Sequence, residues 1–114
     1  MSKFMLLLYD TPEDRAHWHK LSPEEMQKGV EKYIRWTKKP FVVESERLGE
    51  DAGRVIRSQG GKPRVADGPF SETKEVLGGY YTIEATNYDE AVKLSLDHPH
   101  LEHGTIEVRQ VYGT

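Results

Sequence analysis

The chain has 114 residues, 31% of them charged and 36% hydrophobic, which predicts one globular domain spanning residues 1–114 rather than several domains or a disordered chain. Its formal net charge of −3 gives no attraction to a phosphate backbone, so nucleic acid is not an expected partner. The chain contains no cysteine, which excludes disulfides and thiolate chemistry and favours a cytoplasmic location, and no apolar run is long enough to predict a membrane partner.

The first half of the chain predicts a strand and then a helix. Residues 4–9 are apolar and end at a Thr-Pro turn, which is typical of a strand buried on both faces, and the run is too short for a signal peptide. Residues 13–21 predict a connecting segment of undefined structure. Ser22 then caps a helix with proline and glutamate at its first and third positions. The apolar stripe of this helix comprises Met26, Val30, Tyr33 and Ile34.

A second strand and a hairpin follow. Pro40 ends the helix, and residues 41–48 predict the second strand. Residues 54–59 and 62–66 flank a Gly-Gly pair, which tolerates the positive φ angles of a tight turn. These two segments therefore predict an inserted β-hairpin.

The last part of the chain repeats the strand and helix pattern. Residues 76–84 predict a strand in which a pair of glycines, Gly78 and Gly79, indicates a bulge or a close backbone approach. A helix capped by Asn87 follows, and residues 105–112 alternate as a final strand does. The stripe of this helix comprises Ala91, Leu94, Ser95 and His98.

Two successive β-α-β units predict an α+β fold, the ferredoxin-like split β-α-β with an inserted hairpin. Its two helices cover one sheet face, although the first strand places Met5 and Leu7 on one face and Phe4, Leu6 and Leu8 on the other. Exposing such side chains forgoes roughly 1.5–3 kcal/mol each. We therefore predict a homodimer in which two sheets pack face to face, and we expect any functional site in the space between them.

One motif carries a family resemblance over most of the chain. Asp67-Gly68-Pro69-Phe70, followed by Ser71-Glu72-Thr73-Lys74-Glu75 and Leu77-Gly78-Gly79-Tyr80-Tyr81, resembles the DGPF branch of the YCII-related proteins. The opening Met5-Leu6-Leu7-Leu8-Tyr9, the Ser22-Pro23-Glu24-Glu25 helix start and the closing Gly104-Thr105-Ile106-Glu107-Val108-Arg109 strand are also similar. The resemblance implies a dimeric α+β barrel, an active-site pair of one histidine and one aspartate, and genomic association with extracytoplasmic-function sigma factors.

Asp67 and His98 are the candidate catalytic residues. The Asp67 side chain either accepts hydrogen bonds within its own turn or lies at a pocket mouth as a general base. His98 either packs against a helix end or performs acid–base chemistry, since its ordinary pKa is close to neutrality.

The candidate ligand-binding residues are Glu72, Lys74, Tyr80, Tyr81 and Arg109. The first two either cap a turn or offer charges to a polar ligand. One tyrosine of the pair is expected to pack beneath the helices and the other to face the second sheet or a cavity, and Arg109 either pairs with Glu107 or binds substrate. His98, His100 and His103 lack the spacing of a metal motif, so no metal and no cofactor are predicted.

Two functions remain open from the sequence. The first is an enzyme that acts by acid–base chemistry on a small organic molecule without a metal, such as an isomerase, a lyase or a cofactor-independent oxygenase. The second is a non-catalytic module that binds a small ligand or regulates a sigma-factor circuit.

Overall fold

The computed structural model describes residues 1–69 and 75–113. Its strands are β1 (Ser2–Asp10), β2 (Val42–Arg47), β3 (Arg54–Gln59), β4 (Lys62–Asp67), β5 (Val76–Ala85) and β6 (Thr105–Gln110). Its α-helices are α1 (Pro12–His19), α2 (Pro23–Thr37) and α3 (Tyr88–Ser95), and a short 3-10 helix spans Pro99–Glu102.

Four strands form one antiparallel sheet in the order β2-β5-β1-β6, and β3 and β4 form a separate hairpin. When the hairpin is set aside, the remaining elements have the order and pairing expected of a ferredoxin-like α+β fold. The predicted fold class is consistent with this arrangement.

The core lies between the sheet and the helices. Phe4, Leu6 and Leu8 of β1 are buried, while Met5 and Leu7 on the other face are only partly covered. This alternation confirms the assignment of the two faces of the first strand. The three buried residues of β1 form one core cluster with Trp36, Tyr81, Ile83, Ala85 and Ala91.

Helix caps explain where the helices begin. Ser22 accepts a hydrogen bond from the Glu25 N–H and Glu25 returns one to the Ser22 N–H, which confirms the predicted start of α2. The same reciprocal pair joins Thr11 and Asp14 at the start of α1. The prediction that residues 13–21 only connect two elements was therefore wrong, because a complete capping box satisfies the first free N–H groups of a helix there.

The apolar stripe of α2 differs from the prediction at two positions. Val30 and Ile34 are 37% and 48% exposed, and the buried residue of this helix is Trp36. The two aliphatic side chains line a cavity between α2 and the sheet instead of closing the core. The helix ends at Thr37, before Pro40.

The hairpin projects as an arm, defined here as residues 54–67. Gly60 and Gly61 have φ angles of +58° and +78°, which confirms the predicted tight turn. Residues of both strands, including Ile56 and Val65, are largely exposed. The radius of gyration is 16.1 Å, whereas a compact domain of this length has about 13 Å, and the arm accounts for such an extended shape.

Candidate functional site

A cavity of about 290 Å³ lies between α2 and the covered face of the sheet. Its walls come from β1, β2, β5, α1, α2 and the 3-10 helix. The sequence led us to expect a site between the sheets of two chains. This cavity lies instead within one chain, because α2 is far enough from the sheet to leave a space between them. The titratable lining residues include Asp10, Arg15, Tyr33, Arg47, Glu50 and His100.

Asp10 and His100 form a pair in this cavity. The His100 ring is buried, and its Nε2 lies 2.9 Å from the Tyr9 carbonyl oxygen and 3.4 Å from Asp10 Oδ1. Both oxygens are hydrogen-bond acceptors, so Nε2 carries a hydrogen. His100 Nδ1 lies 2.9 Å from the Tyr33 hydroxyl, which therefore donates to Nδ1 when the imidazole is neutral. A carboxylate, an imidazole and a phenol are thus connected in series.

Two glycines leave room for this pair. β5 has a bulge at Gly78, where a Cβ atom would lie 2.5 Å from Asp10 Oδ2. The Gly104 N–H donates to the His100 carbonyl oxygen at 2.7 Å, and a Cβ on Gly104 would collide with the His100 ring. The predicted bulge at the glycine pair is confirmed, and it places the backbone of β5 directly against the Asp10 carboxylate.

Burial changes the acid–base properties of the cavity. The pKa of Asp10 is raised, mainly because burial disfavours the carboxylate, while His100 and Arg15 act in the opposite direction. Burial also raises the pKa of Tyr33 well above its ordinary value, with the Asp10 charge as a further cause. The pKa of Tyr81 is raised to about 12 by burial. Both phenols therefore remain protonated at neutral pH and serve as hydrogen-bond donors.

Two arginines stand beside the pair. Arg15 Nη1 donates to the Glu50 carbonyl oxygen at 3.2 Å, and Arg15 Nε is buried without a hydrogen-bond partner among the described residues. The Glu50 carboxylate lies 4.0 Å from that Nε and 3.3 Å from His19 Nε2. Arg47 is exposed at the rim of the cavity. The cavity thus combines a carboxylate–imidazole pair with two guanidinium groups.

His98 lies next to the cavity but does not line it. It is 2% exposed, and its ring packs against Tyr33, Trp36 and Tyr81. Its Nδ1 accepts a hydrogen bond from the His100 N–H at 3.0 Å and caps the 3-10 helix, which matches the packed alternative considered from the sequence. Burial lowers the pKa of His98 to about 4, so the ring is neutral at physiological pH.

Asp67 lies at the end of β4 in the arm. Its side chain is 84% exposed and its Oδ1 is 3.5 Å from Arg54 Nη1. The structure does not bring Asp67 and His98 together, since one contacts the arm and the other the aromatic core.

The predicted ligand-binding residues are divided between the two faces of the sheet. Tyr81 lines the cavity, whereas Tyr80 faces the opposite side and donates to Glu44 at 2.9 Å. Arg109 is on that same opposite face, 3.9 Å from Glu107. Glu72 and Lys74 lie outside the described residues. Of the three members of this set that the structure describes, only Tyr81 contributes to the cavity wall.

The central residues of the cavity were not predicted as site residues. Asp10 appears in the sequence only as the residue after an apolar strand, and His100 only as one histidine in a group of three. The position of Asp10 at a strand end was the available signal, because residues that follow a buried strand often line a site at the sheet edge.

The described residues contain no group of three or more His, Asp or Glu side chains arranged as metal ligands. None of the helices in this part of the chain is long and apolar enough to cross a membrane.

These features define a small α+β domain with a carboxylate–imidazole pair in a cavity between its sheet and its helices. The sequence profile of the YCII-related domain matches residues 2–113, and the chain belongs to that family. A protein of Rhizobium meliloti (strain 1021), named as uncharacterised, is 30% identical over 101 residues, which cover 82% of this chain and 77% of the relative. The resemblance inferred from the sequence is confirmed at the level of the family.

Proposed function

We propose that this protein is an acid–base enzyme that moves a proton on a small organic molecule bound in the cavity, with Asp10 as the group that accepts and returns the proton. The observation that carries the proposal is the Asp10 carboxyl group, which lines the cavity beside His100 and whose side chain is only 19% exposed. A carboxylate whose pKa is raised by burial is a stronger base than an ordinary aspartate.

The proposed step is proton abstraction from a carbon atom next to a carbonyl group. The C–H bond breaks, the proton passes to an Asp10 carboxylate oxygen, and the electron pair stays on the substrate as an enolate. Asp10 then returns the proton to the same carbon or to a neighbouring one. The atoms and electrons balance without an oxidant or a reductant, which describes an isomerase or a related proton-transfer enzyme.

His100 is a positioning residue in this proposal. Its Nε2 lies 3.4 Å from Asp10 Oδ1, and its charge opposes the rise in the pKa of Asp10. Tyr33 fixes the ring through the hydrogen bond to Nδ1. The pair therefore sets both the orientation and the basicity of the carboxylate.

The test is deuterium exchange at carbon in D₂O, followed by proton NMR with two enolisable probes, phenylpyruvate and phenylacetone. Asp10→Asn should reduce the enzyme-dependent exchange by about 100-fold or more, which is the usual contribution of a general base. Asp67→Asn should retain it, because Asp67 is in the exposed arm.

The same assay tests the prediction that Asp67 and His98 are catalytic. Loss of exchange in Asp67→Asn with full exchange in Asp10→Asn would contradict our assignment and support the earlier pair. Absence of exchange with both probes, together with a small molecule retained through purification, would favour the non-catalytic binding module instead.

The role of His100 is tested by the pH profile of exchange. His100→Asn removes the electrostatic influence of the imidazole, which lowers the pKa of Asp10, so the rise in rate with pH should move to higher pH. His103→Asn is the matched control, because His103 is exposed. An unchanged profile in a folded His100→Asn protein would show that the histidine has only a structural role.

We also propose that the protein is a homodimer, a dimeric α+β barrel formed by the uncovered faces of two sheets. That face contains the partly covered Met5 and Leu7 of β1 together with Tyr80, and no helix of the described residues packs on it. The arm supports the same proposal, since an isolated two-stranded hairpin is marginally stable in water and gains from a second chain.

Size-exclusion chromatography with light scattering tests the dimer at micromolar concentration. The wild-type protein should elute as a dimer, and Leu7→Glu should convert it to a monomer, whereas Leu96→Glu, at a position 67% exposed outside that face, should remain dimeric. A monomeric wild-type protein contradicts the proposal.

Assignment to the DGPF branch of the family is part of our proposal and is supported by the Asp67-Gly68-Pro69-Phe70 motif. A cytoplasmic location follows as a proposal from the absence of cysteine.

A further inference from the structure

Two guanidinium groups, those of Arg15 and Arg47, line the cavity together with the carboxylates of Asp10, Glu46 and Glu50. Asp10 has His100 as its neighbour, and the Glu50 carboxylate lies near Arg15 and His19. The side chain of Arg47 forms no ion pair or hydrogen bond with another residue of the described ranges 1–69 and 75–113, although it lines the cavity. In that part of the chain, no carboxylate lies within ion-pair distance of this guanidinium group at the cavity rim.

Arg15 provides a buried N–H group without a hydrogen-bond partner in the part of the chain that the structure describes. Its Nε is buried, and the side chain is only 21% exposed, so solvent does not replace the missing acceptor. The Glu50 carboxylate is 4.0 Å away, beyond hydrogen-bond distance. An anionic acceptor in the cavity would satisfy this N–H with a charge-assisted hydrogen bond.

Much of the remaining cavity wall is apolar. Val30 and Ile34 of α2 and Leu48 after β2 are 37%, 48% and 39% exposed, and Trp18 of α1 completes this wall. Gly29 allows Trp18 to pack closely, since a Cβ there would lie 2.6 Å from the indole ring. An apolar ligand body would remove this surface from water.

From the guanidinium groups and the apolar wall of this one cavity we infer that the ligand is a small organic carboxylate with a ring-sized apolar body. Its carboxylate binds between Arg15 and Arg47, and its body lies against Trp18, Val30 and Ile34. This inference rests on the proposed function, because it concerns the same cavity. It adds the class of substrate. With the carboxylate held by the arginines, the adjoining carbon atoms lie within the cavity that Asp10 lines.

The test uses benzoate and benzamide, which differ in charge but hardly in shape, as probes in ligand-observed NMR titrations of the full chain. Benzoate should bind roughly tenfold or more tightly than benzamide, since a bidentate or paired arginine contact is charge-assisted. Arg47→Gln should remove most of that difference. Arg64→Gln is the matched control, because it removes an equal charge from the exposed arm.

Three results would each overturn the inference. They are equal binding of benzoate and benzamide, no binding of benzoate, and an equal loss of benzoate binding in Arg47→Gln and Arg64→Gln.

The Asp10→Asn variant separates this inference about the ligand from the proposed function. Benzoate binding that persists in Asp10→Asn while carbon exchange is lost supports both. Charge-selective binding with undiminished exchange in Asp10→Asn supports the substrate class and contradicts the catalytic role of Asp10. A third result is exchange that depends on Asp10 but proceeds equally with phenylpyruvate and phenylacetone, while benzoate and benzamide bind equally. It supports the catalytic role of Asp10 and contradicts the substrate class.

Discussion

The cavity and the arm each contain an aspartate at the end of a strand, and the two carboxylates have opposite surroundings. Asp10 ends β1, is 19% exposed and lies beside His100, whereas Asp67 ends β4, is 84% exposed and faces Arg54 across the hairpin. Burial raises the pKa of the first. The comparison teaches that a recognisable turn motif does not by itself bury a carboxylate, whereas packing beside an imidazole buries it and shifts its pKa.

The same contrast applies to packing. The walls of the cavity rest on the aromatic core around Trp36, Tyr81 and His98, where ring centroids lie 4.5 to 5.3 Å apart. The strands of the arm have no buried residue. Stability is therefore concentrated in the body of the domain, and the four predictions below test this difference from the largest expected effect to the smallest.

Trp36→Ala should give the largest loss of stability, about 3–5 kcal/mol, because it removes a buried aromatic ring and leaves a cavity. The residue is 4% exposed, and its Nε1 also donates to Asp97 at 2.9 Å. Ile56→Ala in the arm, at a position 69% exposed, should change stability by no more than about 0.5 kcal/mol. Urea unfolding measures both, and similar losses in the two variants would break the comparison.

His98 should make the body of the domain sensitive to acid. Its pKa is lowered from 6.5 to about 4, so below pH 6.5 the unfolded chain binds a proton that the folded chain does not. Stability should fall as the pH decreases from 6.5 to 4, by about 3 kcal/mol over that interval. Above pH 6.5 the group contributes no pH dependence.

His98→Asn is the variant for this measurement, because the asparagine Oδ1 can still accept from the His100 N–H while the side chain no longer titrates. The loss of stability between pH 6.5 and pH 4, followed by urea unfolding at several pH values, should be smaller in this variant than in the wild-type protein. An identical pH dependence would show that other groups are responsible.

Gly78→Ala should have an intermediate effect on the cavity. Its Cβ would lie 2.5 Å from Asp10 Oδ2, so the carboxylate or the bulge must shift, at a cost of about 1–3 kcal/mol. The rate of deuterium exchange at carbon should also fall, because the shift displaces the Asp10 carboxylate. Gly60→Ala in the arm meets no atom within 4 Å but has a φ of +58°, so it should cost about 1 kcal/mol and leave exchange unchanged. Loss of exchange in the arm variant would connect the arm to the site.

Asp67→Asn should have the smallest effect on stability. Its ion pair with Arg54 is exposed on both sides, and such pairs contribute about 0.2–1 kcal/mol that salt screens. Thermal unfolding at low and high ionic strength should differ little between this variant and the wild-type protein. A large loss would give Asp67 a structural role in the arm that its contacts do not indicate.

Local patterns were sufficient for most of the secondary structure. The capping box at Ser22, the Gly60-Gly61 turn and the alternation along β1 each depend on neighbours close in the chain, and each is confirmed. Helix α1 was missed although Thr11 and Asp14 form the same capping box as Ser22 and Glu25. Its histidine and tryptophan content, with no apolar stripe, concealed the signal.

The amino-acid sequence by itself determined the order of the strands and of helices α2 and α3, the two-sided apolar character of β1 and the family, because all of these follow from residue types at short spacing. Only the tertiary structure decided which titratable groups meet. Asp10 and His100 are 90 positions apart and become neighbours because β1 pairs with β6 and the 3-10 helix returns over its end. Burial, which makes their chemistry differ from that of Asp67, arises only when these distant segments pack together.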